Sequence, residues 1–129
     1  MEAADGRREE VGMRYILLIH GSEQEWNELS EAERAAQYER YGKLNREMEE
    51  HGHAVAGDEL APAATGKLVR VRDGETSVTD GPFAETKEQL GGYFVLDCDL
   101  DTALSYAAKI PAAAGGTIEV RPIVEGPSA

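Results

Sequence analysis

Met13-Arg-Tyr-Ile-Leu-Leu-Ile-His20 is the stretch on which the fold turns. Read with a period of two, it puts Tyr15, Leu17 and Ile19 on one face and Ile16 and Leu18 on the other, so both faces are apolar. Tyr93-Phe-Val-Leu-Asp-Cys98 has the same character. Two weaker strands accompany them. His53 to Leu60 is closed by Pro62, and Thr117 to Val124 turns Ile118 and Val120 inward and Glu119 and Arg121 outward.

The segments between these strands read as helices and one hairpin. Ser22-Glu-Gln-Glu25 and Ser30-Glu-Ala-Glu33 both match the capping box, in which a serine and a glutamate satisfy free backbone N–H groups reciprocally. A short helical turn holding Trp26 and a long helix from about Glu31 to His51 follow, with Gly52 in the left-handed position that ends helices. Its apolar stripe is Tyr41, Leu44 and Met48, flanked by Tyr38. Asp101 is positioned to cap a second helix running to Ile110, packing Leu104, Ala107 and Ala108, and Pro111 stops it. Gly66–Arg72 and Glu75–Asp80 flank Asp73-Gly74, a strong two-residue hairpin signal. The order β-α-β-hairpin-β-α-β predicts an α+β, ferredoxin-like sandwich with an inserted β-hairpin. In that topology the first and third core strands are central, which matches the two doubly apolar segments. Two helices cover only one face of such a sheet. A homodimer packed sheet on sheet is the expected cover for the other, with a folded-back hairpin as the alternative.

Length and charge bound the rest. The 129 residues fit one domain, and 41% hydrophobic residues suffice for a core. With 13 Lys+Arg against 25 Asp+Glu, the formal charge of −12 argues against direct nucleic-acid binding. Ser22–Gly52 alone holds nine acids and four bases. Residues 1–12 are polar and without periodicity, so a disordered extension or a mis-assigned start is expected, with the domain spanning 13–126 and 127–129 a frayed end. The longest apolar run, Tyr15 to Ile19, is too short to span a membrane. One cysteine and no leader-like opening lead to the expectation of a reducing cytoplasm.

Asp80-Gly-Pro-Phe-Ala-Glu-Thr-Lys-Glu-Gln-Leu-Gly-Gly-Tyr93 resembles the signature of the DGPF group within the YCII-related family. Val71-Arg-Asp-Gly74, Val120-Arg-Pro122 and the Tyr15–Ile19 strand extend the resemblance over about residues 13–126. It implies the dimeric α/β-barrel fold and a poorly defined role, associated with extracytoplasmic-function sigma factors. The better-known branch of the family is implied to carry a His–Asp pair for acid/base chemistry. Here the corresponding regions offer Arg34, Gln37 and Tyr38, then Lys109-Ile-Pro111, and neither His nor Asp.

The residues themselves nominate a site. Arg34 and Gln37 fall on the long helix near the Tyr41/Leu44/Met48 stripe, where apolar residues belong. Either the stripe simply ends there, or the inward face turns polar and Arg34 awaits a carboxylate or phosphate. His20, at a strand end, is the acid/base candidate or an ordinary hydrogen-bonding group. In the motif, Pro82 fixes a turn with Phe83 as its anchor, and Asp80 and Glu85 either serve that turn or face a pocket at the sheet edge. Catalytic roles are thus assigned to His20 and Asp80, and ligand binding to Arg34, Gln37, Glu85 and Tyr93. No metal or cofactor is expected, since His51 and His53 lack further ligands nearby in sequence. Cys98 alternates with Phe94 and Leu96 and reads as an inert core thiol. The leading function is a small-molecule-binding or lyase-like domain with a pocket between first helix and sheet. The alternative is a non-catalytic dimeric module that meets a protein partner such as a sigma factor.

Overall fold

The computed structural model describes Met13–Glu125, so the expectations for 1–12 and 127–129 lie outside the described residues. The chain runs β1 (Arg14–Gly21), α1 (Glu23–Glu28), α2 (Glu31–Glu50), β2 (Ala54–Glu59), β3 (Lys67–Arg72), β4 (Glu75–Asp80), β5 (Gln89–Asp97), α3 (Leu100–Lys109) and β6 (Thr117–Pro122). Short 3-10 turns occupy Ala63–Thr65 and Pro111–Ala114. The main sheet has the order β2-β5-β1-β6 with every pair antiparallel, and β3-β4 form a separate two-stranded ribbon. This is the ferredoxin-like α+β arrangement, and the two doubly apolar strands are the central ones. The sheet is open; among the described residues no barrel closes.

One face of the sheet holds the core. Tyr15, Leu17, Phe94, Leu96 and Cys98 pack there against Leu44 and Met48 of α2 and Ala103, Tyr106 and Ala107 of α3. Ile16 and Leu18 of β1, and Tyr93 and Val95 of β5, alternate onto the opposite face and are half-buried. Among the described residues no helix covers that second face, because both long helices spend their apolar residues on the first.

The long helix starts as its capping box dictates. Ser30 Oγ accepts from Glu33 N at 3.1 Å, and Glu33 Oε1 accepts from Ser30 N at 2.8 Å. At its other end Gly52 takes φ +74°, the left-handed conformation that a Cβ disfavours. The second long helix departs from its sequence reading. Asp99, not Asp101, is the cap, its Oδ1 accepting from Thr102 N at 2.8 Å. The helix's buried face differs from the expected one too: Ala103, Tyr106, Ala107 and Ile110 are buried, while Leu104 and Ala108 face water.

Asp73 and Gly74 both have positive φ, 52° and 78°, as a two-residue turn between right-twisted strands requires. The ribbon does not fold back over the sheet: every residue of β3 and β4 except Leu68 is exposed. The two ends of the domain meet. Ile123 N donates to Arg14 O at 2.9 Å, and Arg14 pairs with Glu125 at 3.7 Å.

Cys98 is buried at the end of β5, and burial, then the charges of Asp99 and Asp97, push its thiol up to about 11. A thiolate is therefore scarce at neutral pH. Ellman's reagent at pH 8 is expected to leave the native protein unlabelled and to titrate one thiol after urea unfolding.

Candidate functional site

The six nominated residues fall in three places. Arg34 and Gln37 are on the helix side of the sheet, where both are half-buried while their neighbours on α2 from Glu31 to Arg40 are exposed. They continue the line of Tyr41, Leu44 and Met48 at helical spacing, so the inward stripe does not stop; it turns polar. Arg34 Nη1 donates to Leu29 O at 2.6 Å and to Trp26 O at 3.4 Å. Through these bonds it closes the carbonyl end of α1. Its guanidinium has further donors, so this role does not exhaust it.

Around these two side chains lies a group that single-residue reading overlooked. Trp26 and Tyr38 meet edge to face with ring centroids 5.4 Å apart. Tyr38 Oη donates to the Glu59 carboxylate at 3.0–3.1 Å. Burial first, then that carboxylate, raise the Tyr38 phenol above its ordinary value. Farther along the helix, burial raises the Tyr41 phenol too, partly offset by a hydrogen bond with the Ala112 backbone. The result is a cluster of arginine, amide and aromatic side chains carried by α1 and the first half of α2, tied to β2 through Glu59.

His20 and Tyr93 are on the other side of the sheet, flanking Leu18. His20 Nε2 is 3.2 Å from Glu119 Oε1, and Arg121 Nε donates to Glu119 Oε2 at 2.9 Å, with a second bond from Nη2. Tyr93 Oη donates to Asp58 Oδ2 at 3.3 Å. A carboxylate that orients one imidazole nitrogen leaves the other to exchange a proton, so this triad is chemically able to act as an acid/base pair. Arg121 above all, then His20, hold the Glu119 carboxyl below the usual range.

Asp80 and Glu85 are in the third place, at the root of the ribbon and in the loop after it. Asp80 pairs with Lys67 at 2.5 Å and both are exposed; Glu85 is exposed. The motif does structural service here. A Cβ on Gly81 would come within 2.8 Å of Ala63 O, and Gly81 N donates to Gly66 O at 2.8 Å, so glycine is needed for the ribbon's root to close. Gln89 accepts from Glu23 N at 2.9 Å and donates to Thr86 O, while Glu23 Oε2 accepts from Ala63 N at 2.8 Å. Phe83 is no anchor: it is 82% exposed, since the loop turns it away from the body.

Elsewhere, His51 Nδ1 donates to Glu47 O at 2.9 Å, as suits a helix C-terminus, and His53 Nδ1 is 2.8 Å from Tyr106 Oη. Among the described residues no group of three or more His, Cys, Asp or Glu is placed to hold a metal. No described helix is long and apolar enough to cross a membrane.

Four capping or paired carboxylates, Glu33, Glu47, Asp99 and Glu119, have pKa values lowered by the hydrogen bonds they accept. A depressed folded-state pKa adds stability that is fully present above the unfolded value and is lost as pH falls through the folded one. Urea midpoints are therefore expected to hold between pH 7 and 5 and to drop below about pH 4, where carboxyls begin to protonate. Asp99→Asn is expected to flatten the drop slightly, because it keeps the cap and removes one titrating group.

Fold and surface together define a small antiparallel α+β domain with a polar and aromatic cluster on the first half of α2 and a polar-rimmed sheet face that no helix covers among the described residues. The chain belongs to the YCII-related domain family, whose model matches residues 13–126. It is also similar to the uncharacterized protein R00369 of Rhizobium meliloti (strain 1021), at 36% identity over 114 residues, covering 86% of this chain and 92% of that protein.

Proposed function

We propose that this YCII-related domain binds a small anionic molecule in a pocket between the first half of α2 and the sheet. The observation that carries the reading is the inward, half-buried position of Arg34 and Gln37 on a stripe that is otherwise core. A partly desolvated guanidinium favours a carboxylate or phosphate, Gln37 supplies a donor and an acceptor, and the Trp26–Tyr38 pair offers an apolar wall. His20 with Glu119 adds proton-transfer capacity on the opposite face, which suits a lyase-like activity only where a second chain completes that face. Pairing of two chains through Ile16, Leu18, Tyr93 and Val95 is part of the same proposal.

A panel of small carboxylates and phosphate esters, read by thermal shift, tests the binding site. Stabilisation by at least one class is expected in the wild type. Gln37→Leu is expected to weaken it about tenfold, as does loss of one or two hydrogen bonds in a partly desolvated site. Arg34→Lys is expected to weaken it as much, since the planar fork is lost while the charge remains. No hit across the panel, or hits indifferent to both substitutions, would remove the reading.

The acidic surface favours a second reading, a module that meets a basic protein surface such as that of a sigma factor. Co-purification that weakens steeply with salt would support it.

A further inference from the structure

We infer that the β3–β4 ribbon is an arm whose valine face packs against a second copy of this chain. The inference rests on the proposed pairing of open sheet faces and goes beyond it by adding a second contact. Register sets the two faces of the ribbon. Val69 opposes Val78 and Val71 opposes Thr76 on one, while Arg70 opposes Ser77 and Arg72 opposes Glu75 on the other. The valine face has no cover among the described residues of its own chain: Val69, Val71 and Val78 are 63%, 58% and 61% exposed. A two-stranded ribbon standing alone in water is marginal, so a formed one with a bare apolar face calls for something to lie on.

Charge selects what that is. Residues 67–80 hold three bases, Lys67, Arg70 and Arg72, and three acids, Asp73, Glu75 and Asp80, a net of zero. The whole −12 therefore resides outside the ribbon. Two such bodies repel each other, and the ribbon is a segment that approaches a second copy without that penalty. The open face is itself mixed, with Asp58, Asp97 and Glu119 standing beside Arg14, His20 and Arg121 around its apolar centre, so a neutral ribbon meets it without a charge penalty. Area points the same way. Four strands about 4.8 Å apart, each about six residues long, give that face a flat footprint of about 400 Å². That is at the low end for an interface needing roughly 800 Å² of accessible surface per partner, and an arm adds about half as much again. The arm is also continuous with the sheet: the Ala63–Thr65 turn at its root touches β5, the strand that carries Tyr93 and Val95. A two-fold axis lets each copy give an arm and receive one, leaving neither valine face bare.

Sedimentation equilibrium of the full chain and two variants tests this. The triple variant Val69→Thr, Val71→Thr, Val78→Thr keeps β-branched residues but makes the face polar. A second variant replaces residues 67–80 with Asn-Gly, which the Gly81 N to Gly66 O bond shows to be a closable gap. The wild type is expected to be dimeric, with both variants keeping the native circular dichroism and weakening the dimer at least tenfold. If the shortened chain does not fold, the triple variant decides. Wild-type affinity within twofold in the triple variant would overturn the arm while leaving the sheet pairing standing. A wild-type chain monomeric at 100 μM (about that concentration suffices for a weak dimer) would overturn both, and would leave the valine face to a different protein.

Discussion

Leu17→Ala is expected to lower the unfolding free energy by about 3–5 kcal/mol, read as a fall in the urea midpoint at unchanged slope. Leu17 is fully buried on the central strand β1, opposite Phe94 on one side and Val120 on the other. Truncation there removes transfer energy and leaves a cavity, and the hydrogen-bonded strands on both sides limit how far the walls can close in. A domain of this size has roughly 5–15 kcal/mol in total, so one substitution takes a large share of it. A loss below about 1 kcal/mol would mean that the core is looser than the packing of Leu17, Met48 and Leu96 implies.

Leu18→Asp, one residue along, is expected to do the opposite. Leu18 alternates onto the uncovered face, between Tyr93 and Glu119, and is not part of the buried core. The monomer should therefore keep its circular dichroism and most of its stability, while the proposed self-association weakens by about a hundredfold or more. A buried, unpaired charge at an interface costs several kcal/mol, and a two-fold axis brings two of them together. Sedimentation equilibrium checks the outcome. A variant that stays dimeric would show that chains pair elsewhere; one that unfolds would show that this face is core after all.

The contrast between these neighbouring leucines explains what could be read in the sequence. Period-two alternation in Tyr15–Ile19 and Tyr93–Cys98 revealed two apolar faces, and with the Asp73-Gly74 turn and the Ser30 capping box it was enough for the topology. These signals are local, so a linear reading captures them. The cap of α3 was missed because Asp99 and Asp101 offer the same chemistry two residues apart. Only the neighbouring elements determine which one starts the helix, and which of Leu104 and Ala103 faces inward. Arg34 and Gln37 stood out because a polar residue on an apolar stripe is a local anomaly. Glu119 and Asp58 did not, since their partners His20 and Tyr93 lie 99 and 35 residues away and meet them only through strand pairing. The motif stretch was legible as a turn. Its glycine was not legible as a packing requirement, because the Ala63 carbonyl that demands it belongs to another segment.

The bond from Ile123 to Arg14 has a consequence for how such a domain can be used. Entry and exit of the chain lie on neighbouring antiparallel strands, about 5 Å apart. A polypeptide that leaves where it arrived can be spliced into a loop of a larger protein without prising that loop open, and it can hang from either terminus of a fusion with equal ease. In mechanical terms it is a pendant: pulling on its two ends would unzip β1 from β6 one hydrogen bond at a time rather than shear the sheet.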